Sequence, residues 1–335
     1  MTVTDLFRIY DEILVPERGS DNDLQFAVRP VPDQGAYFVG KDMAGMACLL
    51  VETAKGTGRK PPPIRLENLE AQFELVCQIA DGGEPPREGQ FTVIRCRSSQ
   101  KETVQYFFSV CRILIQHLGG CPSRLALAAA VRRLASIFQS IRKPPVRSLN
   151  GLFGEMFVIA SSRSPTRAVA AWRVEETSRF DFAAGDVRMD VKSSAGRLRK
   201  HAFSYDQCNP PPNTHAIVAS LMVERIPGGT SIEDLIVATE ARISGDAGLL
   251  LKLHDVVAST LGTDTSEALR VTFDHRLASS SLQFFDLREI PAVRGSLPPR
   301  VSDLRFNVDL TGLPPLDVET LSDRDPYFWD LVPRD

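Results

Sequence analysis

The sequence predicts a mixed α+β / α/β protein: a β-rich N-terminal domain, then an α/β core whose mixed sheet is flanked by helices. Three observations predict this. At 335 residues the chain is long enough for two hydrophobic cores. Short apolar runs punctuated by Gly and Pro fill residues 24–115, as strands and turns do. From residue 122 onward, helical and strand-length runs alternate.

Composition excludes several classes. Apolar content of 43% and charged content of 24% are those of a globular protein, and no apolar run reaches the length needed to cross a bilayer. The opening MTVTDLFRIYDEIL is acidic and amphipathic, unlike a secretory signal, so a cytoplasmic chain is expected. The six cysteines form no C-x-x-C pair and read as buried small apolar residues. The five histidines show no metal-ligand spacing, so a metal here is expected to be a hard ion held by oxygen.

Net charge is only −3, but its distribution is uneven. Between Glu102 and Glu155 there is no acidic residue, while Arg112, Arg124, Arg132, Arg133, Arg142, Lys143 and Arg147 fall in that stretch. Such a belt suits phosphate contact by counterion release; a solvated helix face is the alternative.

Taken in order, residues 1 to about 20 read as a helix. QFAVRPV, YFVGKD, CLLVET, FELVCQI and FTVIRCRS read as strands, and VQYFFSVCRILI as a strand or a run turning helical, with GTGRKPPP and DGGEPPREG as loops. Residues 122–142 have helical spacing between Pro122 and Pro144-Pro145, and are expected to link the domains. The organisation expected is therefore 1–121, a linking helix within 122–147, and 148–335.

SLNGLFGEMFVIASS reads as a helix capped by Ser148 or Asn150, with Leu152, Phe153, Met156, Phe157 and Ile159 inward and Glu155 among them. AAWRVEE is a short strand or connector. In SRFDFAAGDVRMDVKSS, a Gly185-Asp186 turn of type II′ pairs Ala184 with Val187, Ala183 with Arg188 and Phe182 with Met189. Asp181 then faces Asp190, with Lys192 on the same side and Phe182, Met189 and Val191 opposite. Two opposed carboxylates repel unless a cation lies between them. Mg²⁺ (or Mn²⁺) held by Asp181, Asp190 and the Val191 carbonyl, with Glu155 completing the set or placing a water, answers that repulsion. Lys192 would orient or deprotonate the attacking water.

These residues resemble the PD-(D/E)XK nuclease superfamily: a helix with Glu, then Asp on one strand and (D/E)-x-K on the next. More narrowly, GLFGE, RFDF, MDVKSS and RKHAFSYDQ look like the PD-(D/E)XK-motif proteins of bacterial phage-defence gene clusters. The resemblance covers residues 148–220. Phe180 stands where the superfamily name has Pro, and Asp190 replaces the commoner Glu. Asp190-Val191-Lys192 is the sole acidic-x-Lys triplet, a pattern that arises by chance in a chain with 42 acidic residues. The conjunction with Glu155 and the hairpin is more specific. The resemblance implies a restriction-endonuclease-like core, metal-dependent cleavage of nucleic acid, with DNA the expected substrate, and a defence setting. A second copy of the chain or a partner ATPase are further partners it leaves open. A non-catalytic nucleic-acid-binding or scaffold subunit is the alternative.

Ser193, Arg197, Arg199, Lys200 and His201 form a basic segment expected around the phosphate backbone, and the resemblance places His201 and Gln207 near the site. Farther on, HAIVASLMVER reads as a strand, SIEDLIVATEARI and AGLLLKLHDVVAST as helices, and EALRVTFDHRLA, SLQFFDLREI and LRFNVDL as strands. Asp274-His275, lacking a nucleophile motif, reads as structural. DRDPYFWDLVPRD offers aromatic side chains for docking on the body or a partner.

Overall fold

The computed structural model describes residues 6–16, 25–53, 60–81, 86–141, 148–174, 179–243, 245–319 and 326–334. The chain divides into two compact units, residues 1–144 with 246–266, and residues 145–245 with 267–335. Among the described residues no helix is long and apolar enough to cross a membrane.

In the first unit, α1 spans Leu6–Asp11, shorter than the helix expected over residues 1–20. Strands β1 (Gln25–Pro30), β2 (Tyr37–Asp42), β3 (Ala47–Glu52), β6 (Arg87–Cys96) and β5 (Leu69–Ala80) pair in that order, each antiparallel to the next; β4 (Ile64–Arg65) lies beside β5. β5 also pairs with β1, in parallel, and so closes the ring. Five strands cannot alternate direction all the way round, so one parallel pair is required, and closure removes the exposed edges. Alternation along β1 and β5 sends Phe26, Val28, Cys77 and Ile79 inward to meet Phe38, Leu50, Phe91 and Val93.

VQYFFSVCRILI lies within a helix, α2 (Lys101–Leu118). Nine of its residues, from Val104 to Ile115, are buried, including the consecutive Tyr106, Phe107 and Phe108. Glu102, Gln105, Ser109, Arg112 and Gln116 keep a polar stripe at helical spacing, but the aromatic and β-branched run between them imitates a strand. α3 (Arg124–Ser140) starts where Ser123 Oγ accepts from the Ala126 N–H at 3.2 Å. Rather than standing free between domains, α3 packs on α2 and on α8 (Ala247–Leu261), a helix that the chain contributes to the first unit far downstream. α9 (Thr265–Ala268) carries the chain back.

The second unit centres on a mixed sheet of order β13-β10-β8-β7. β8 (Val187–Ser194) and β10 (His215–Met222) run parallel; β7 (Phe182–Ala184) and β13 (Gln283–Asp286) are antiparallel to their neighbours. α4 (Leu149–Ser161) packs on β8 and on α7 (Ile232–Arg242), and α10 (His275–Ser281) packs on β10. The basic segment expected around the phosphate backbone forms β9 (Lys200–Ser204), paired with β14 (Arg305–Asp309), then α6 (Tyr205–Cys208). EALRVTFDHRLA holds only a two-residue strand, β12 (Thr272–Phe273), paired with β11 (Arg225–Ser231). Its last four residues enter α10, because Asp274 Oδ1 accepts from the Leu277 N–H at 3.0 Å and caps a helix whose first residue is His275; the Asp274-His275 pair is this helix start. AAWRVEE begins as the end of α5 (Pro165–Ala171). In the tail, α11 (Pro326–Leu331) docks on α5, with the Arg163 guanidinium 3.8 Å from the Trp329 ring centre. Five cysteines are buried thiols, while Cys121 is exposed.

Candidate active site

Ser148 begins α4 by accepting from the Gly151 N–H at 3.1 Å. Leu152, Phe153, Met156, Phe157 and Ile159 are buried, as their spacing predicts. A Cβ on Gly154 would lie 2.1 Å from Ser193 Oγ and 3.2 Å from Leu221 Cδ2, so the bare glycine lets α4 lie against β8 without displacing these side chains. The approach carries Glu155, 3% exposed, into the interior. Its Oε2 accepts from Trp172 Nε1 and its Oε1 from Arg173 Nη2, both at 2.7 Å. Burial, and then the nearby Asp181 charge, push its carboxyl up to about 7 against the opposing pull of Arg173.

The β7–β8 hairpin has the register the turn dictates: Phe182 with Met189, Ala183 with Arg188, Ala184 with Val187. Gly185 has φ +51° and Asp186 does not share a positive φ, as a type II′ turn requires. Phe182 and Met189 enter the core. The ladder stops at Phe182, so Asp181 sits one residue beyond it instead of forming a ladder pair with Asp190. Its Oδ2 accepts from the Val191 N–H at 2.8 Å. Asp190 is 4% exposed; its Oδ1 accepts from Gln207 Nε2 at 3.1 Å, and its Oδ2 lies 2.7 Å from Lys192 Nζ. The ammonium of Lys192 also stands 4.8 Å from the Phe203 ring centre.

Glu155, Asp181, Asp190, Val191, Lys192 and Gln207 line one cavity of about 630 Å³. Ser148 and Gly151 line it at the start of α4, and two guanidinium groups, Arg179 and Arg305, border it as well. Among the described residues no three His, Cys, Asp or Glu side chains are grouped as a metal cage. Two carboxylates, Asp181 and Asp190, bordering this cavity nonetheless fit a hard divalent ion, since Mg²⁺ is commonly held by one or two carboxylates and keeps several waters.

Several expected phosphate contacts lie elsewhere. Arg199 is buried: its Nη1 donates to the Ser220 carbonyl and hydroxyl at 2.7 and 2.8 Å, and its Nη2 to the Ser281 carbonyl. His201 is buried with Nε2 2.8 Å from Ser220 Oγ. Burial, then Lys192 and Arg199, lower its pKa to about 4, which favours the neutral imidazole at pH 7. These two side chains support β10 from within. Ser193 faces α4, on the opposite side of β8 from Asp190 and Lys192. Arg197 is exposed and pairs with Glu224 at 2.5 Å. Lys200 is exposed on β9. Arg132 and Arg133 are exposed on α3 of the first unit, where Arg133 donates to the Gly248 carbonyl at 3.0 Å. Arg142, Lys143 and Arg147 lie outside the described residues.

Sequence reasoning missed Trp172, Arg173, Arg179 and Arg305. A Trp-Arg pair in the short connector ahead of Asp181 was a local signal for the first two, since a buried indole N–H needs an acceptor. Arg305 enters only through the pairing of β14 with β9, and no local pattern announces it.

The family model DUF4420, described as "Putative PD-(D/E)XK family member", matches residues 10–311. No curated protein and no solved structure matches the chain.

Proposed function

The chain belongs to the DUF4420 family of PD-(D/E)XK type, and from this premise we propose that it is a divalent-metal-dependent nuclease acting on DNA in a bacterial defence setting. The observation that carries the reading is the single cavity lined by Glu155, Asp181, Asp190 and Lys192, contributed by a helix and two paired strands in the order the superfamily uses.

In this reading Asp181 and Asp190 hold Mg²⁺ or Mn²⁺, with the Val191 carbonyl and Glu155 as further oxygen donors. When bound, the ion supplies positive charge to the phosphate oxygens and acidifies water. Lys192 Nζ orients the attacking water and offsets charge developing on the phosphate. Gln207 fixes Asp190: its Nε2 donates to Asp190 Oδ1 and to the Arg179 carbonyl at 2.8 Å, while its Oε1 accepts from the Ser204 N–H at 3.0 Å. Arg179 and Arg305 bind phosphates flanking the scissile one, as guanidinium groups do in register-setting contacts.

One observation favours a second reading, a nucleic-acid-binding or scaffold subunit: Lys192 already neutralises Asp190, and Arg173 already neutralises Glu155. Incubating the chain with DNA and RNA of matched sequence and salt, in Mn²⁺ and in EDTA, separates the readings. Metal-dependent cutting of DNA but not RNA is expected. RNA cutting alone changes the substrate, and binding without cutting supports the scaffold. Cutting that requires an added ATPase subunit leaves the site in place and makes it a regulated one.

A further inference from the structure

α5 ends at Trp172, whose ring is fully buried. A buried indole N–H requires an acceptor, and here it finds Glu155 Oε2 at 2.7 Å. The next residue, Arg173, has φ +42°, a left-handed backbone that residues bearing a Cβ seldom adopt unless their surroundings over-determine it. Three contacts do so. The Arg173 guanidinium donates to Glu155 Oε1 at 2.7 Å, its backbone N–H donates to the Asp181 carbonyl at 2.7 Å, and Trp172 bridges Phe182. The two side chains are largely buried, so little water competes for their contact. One two-residue segment therefore grips the helix carboxylate by both oxygens and the strand bearing Asp181 by its backbone. Neither Trp172 nor Arg173 lines the cavity that Glu155 and Asp181 border.

We infer that Trp172 and Arg173 are positioning residues that act through Glu155 and Asp181, fixing the carboxylates around the bound divalent ion. This rests on the metal-site reading above. A carboxylate held on both oxygens loses its rotational freedom before the ion arrives, and partners that orient ligands in this way commonly alter metal affinity by 10–100-fold when removed. Trp172→Phe removes only the indole donor and keeps an aromatic ring in place. Arg173→Lys keeps the charge but loses the planar fork.

The test is Mn²⁺ binding by the full chain, read from the electron paramagnetic resonance signal of free Mn²⁺, with circular dichroism to establish folding. Trp172→Phe and Arg173→Lys are expected to weaken binding about tenfold, and Trp172→Phe is expected to add no loss in a Glu155→Gln background. Wild-type affinity in both folded variants overturns the clamp while the metal site stands. So does a Trp172→Phe loss that persists undiminished beside Glu155→Gln. If Trp172→Phe does not fold, the more exposed Arg173→Lys decides alone. A wild-type chain that binds no Mn²⁺ overturns the metal site and the clamp together.

Discussion

The two units bury different kinds of residue. The first closes a barrel over Phe26, Phe38, Leu50 and Phe91, and its buried polar side chains among the described residues are threonines and His254. Within the second unit lie Glu155, Asp181, Asp190, Glu240, Asp286 and Arg199, the buried carboxylates and the buried arginine of the described residues. Burying a charge is costly unless it is paired, so groups of this kind concentrate where chemistry or a specific network requires them. The contrast teaches that buried charge among the described residues is confined to the second unit, where three of its carboxylates, Glu155, Asp181 and Asp190, border one cavity.

That comparison can be broken from either side. The largest effect is expected at Lys192: Lys192→Met should lower metal-dependent cleavage per folded molecule about 10³-fold, beyond any stability lost by unpairing the buried Asp190, as rates and melting curves on the same preparation would reveal. In the barrel the reverse holds. Phe91→Ala should cost about 3–5 kcal/mol in the first unit, read by denaturant unfolding, and leave the rate per folded molecule unchanged. Loss of cleavage in proportion to folded protein alone, for both variants, would erase the distinction.

Glu155 gives a sharper version. Its carboxyl is raised to about 7 in the folded chain, so the folded state binds a proton that the unfolded state releases near the ordinary carboxylate value of 4.5. The second unit of the metal-free chain is therefore most stable below about pH 4.5 with respect to this group, and loses stability as pH rises to about 7, on the order of 3 kcal/mol in all. Glu155→Gln should flatten that slope in hydrogen exchange measured across this range; an unchanged slope assigns it to another group.

The smallest effects are at the helix caps. Ser123→Ala and Ser148→Ala should each cost about 1 kcal/mol in thermal unfolding, but only Ser148, which borders the cavity, should also slow cleavage. Equal cleavage by both variants would show that the start of α4 has no share in the site.

How much of this the sequence disclosed depended on how local the signal was. The β7–β8 hairpin was legible to the register, because a period-2 pattern and a Gly-Asp turn admit one pairing that puts Phe182 and Met189 in the core. α4 was legible from its cap and its apolar spacing. α2 was ambiguous because its aromatic and β-branched run, Val104 to Ile115, has the composition of a strand. Arg199 and His201 belong to a basic run whose local pattern suits phosphate contact; only tertiary packing places the Arg199 donors on Ser220 and Ser281 and sets His201 beside Ser220. The pairing of β9 with β14 joins residues about a hundred positions apart, and α8 joins the first unit from between the two segments of the second, so neither partnership had a local signature.

The account stands most directly on one comparison: cleavage of plasmid DNA in Mn²⁺ by the wild-type chain and by Asp190→Asn, at equal folded fraction by circular dichroism. It predicts cutting by the wild type that EDTA stops, and none above the EDTA background by Asp190→Asn. Asp190→Asn cutting at the wild-type rate, or wild-type cutting that persists in EDTA, would contradict it.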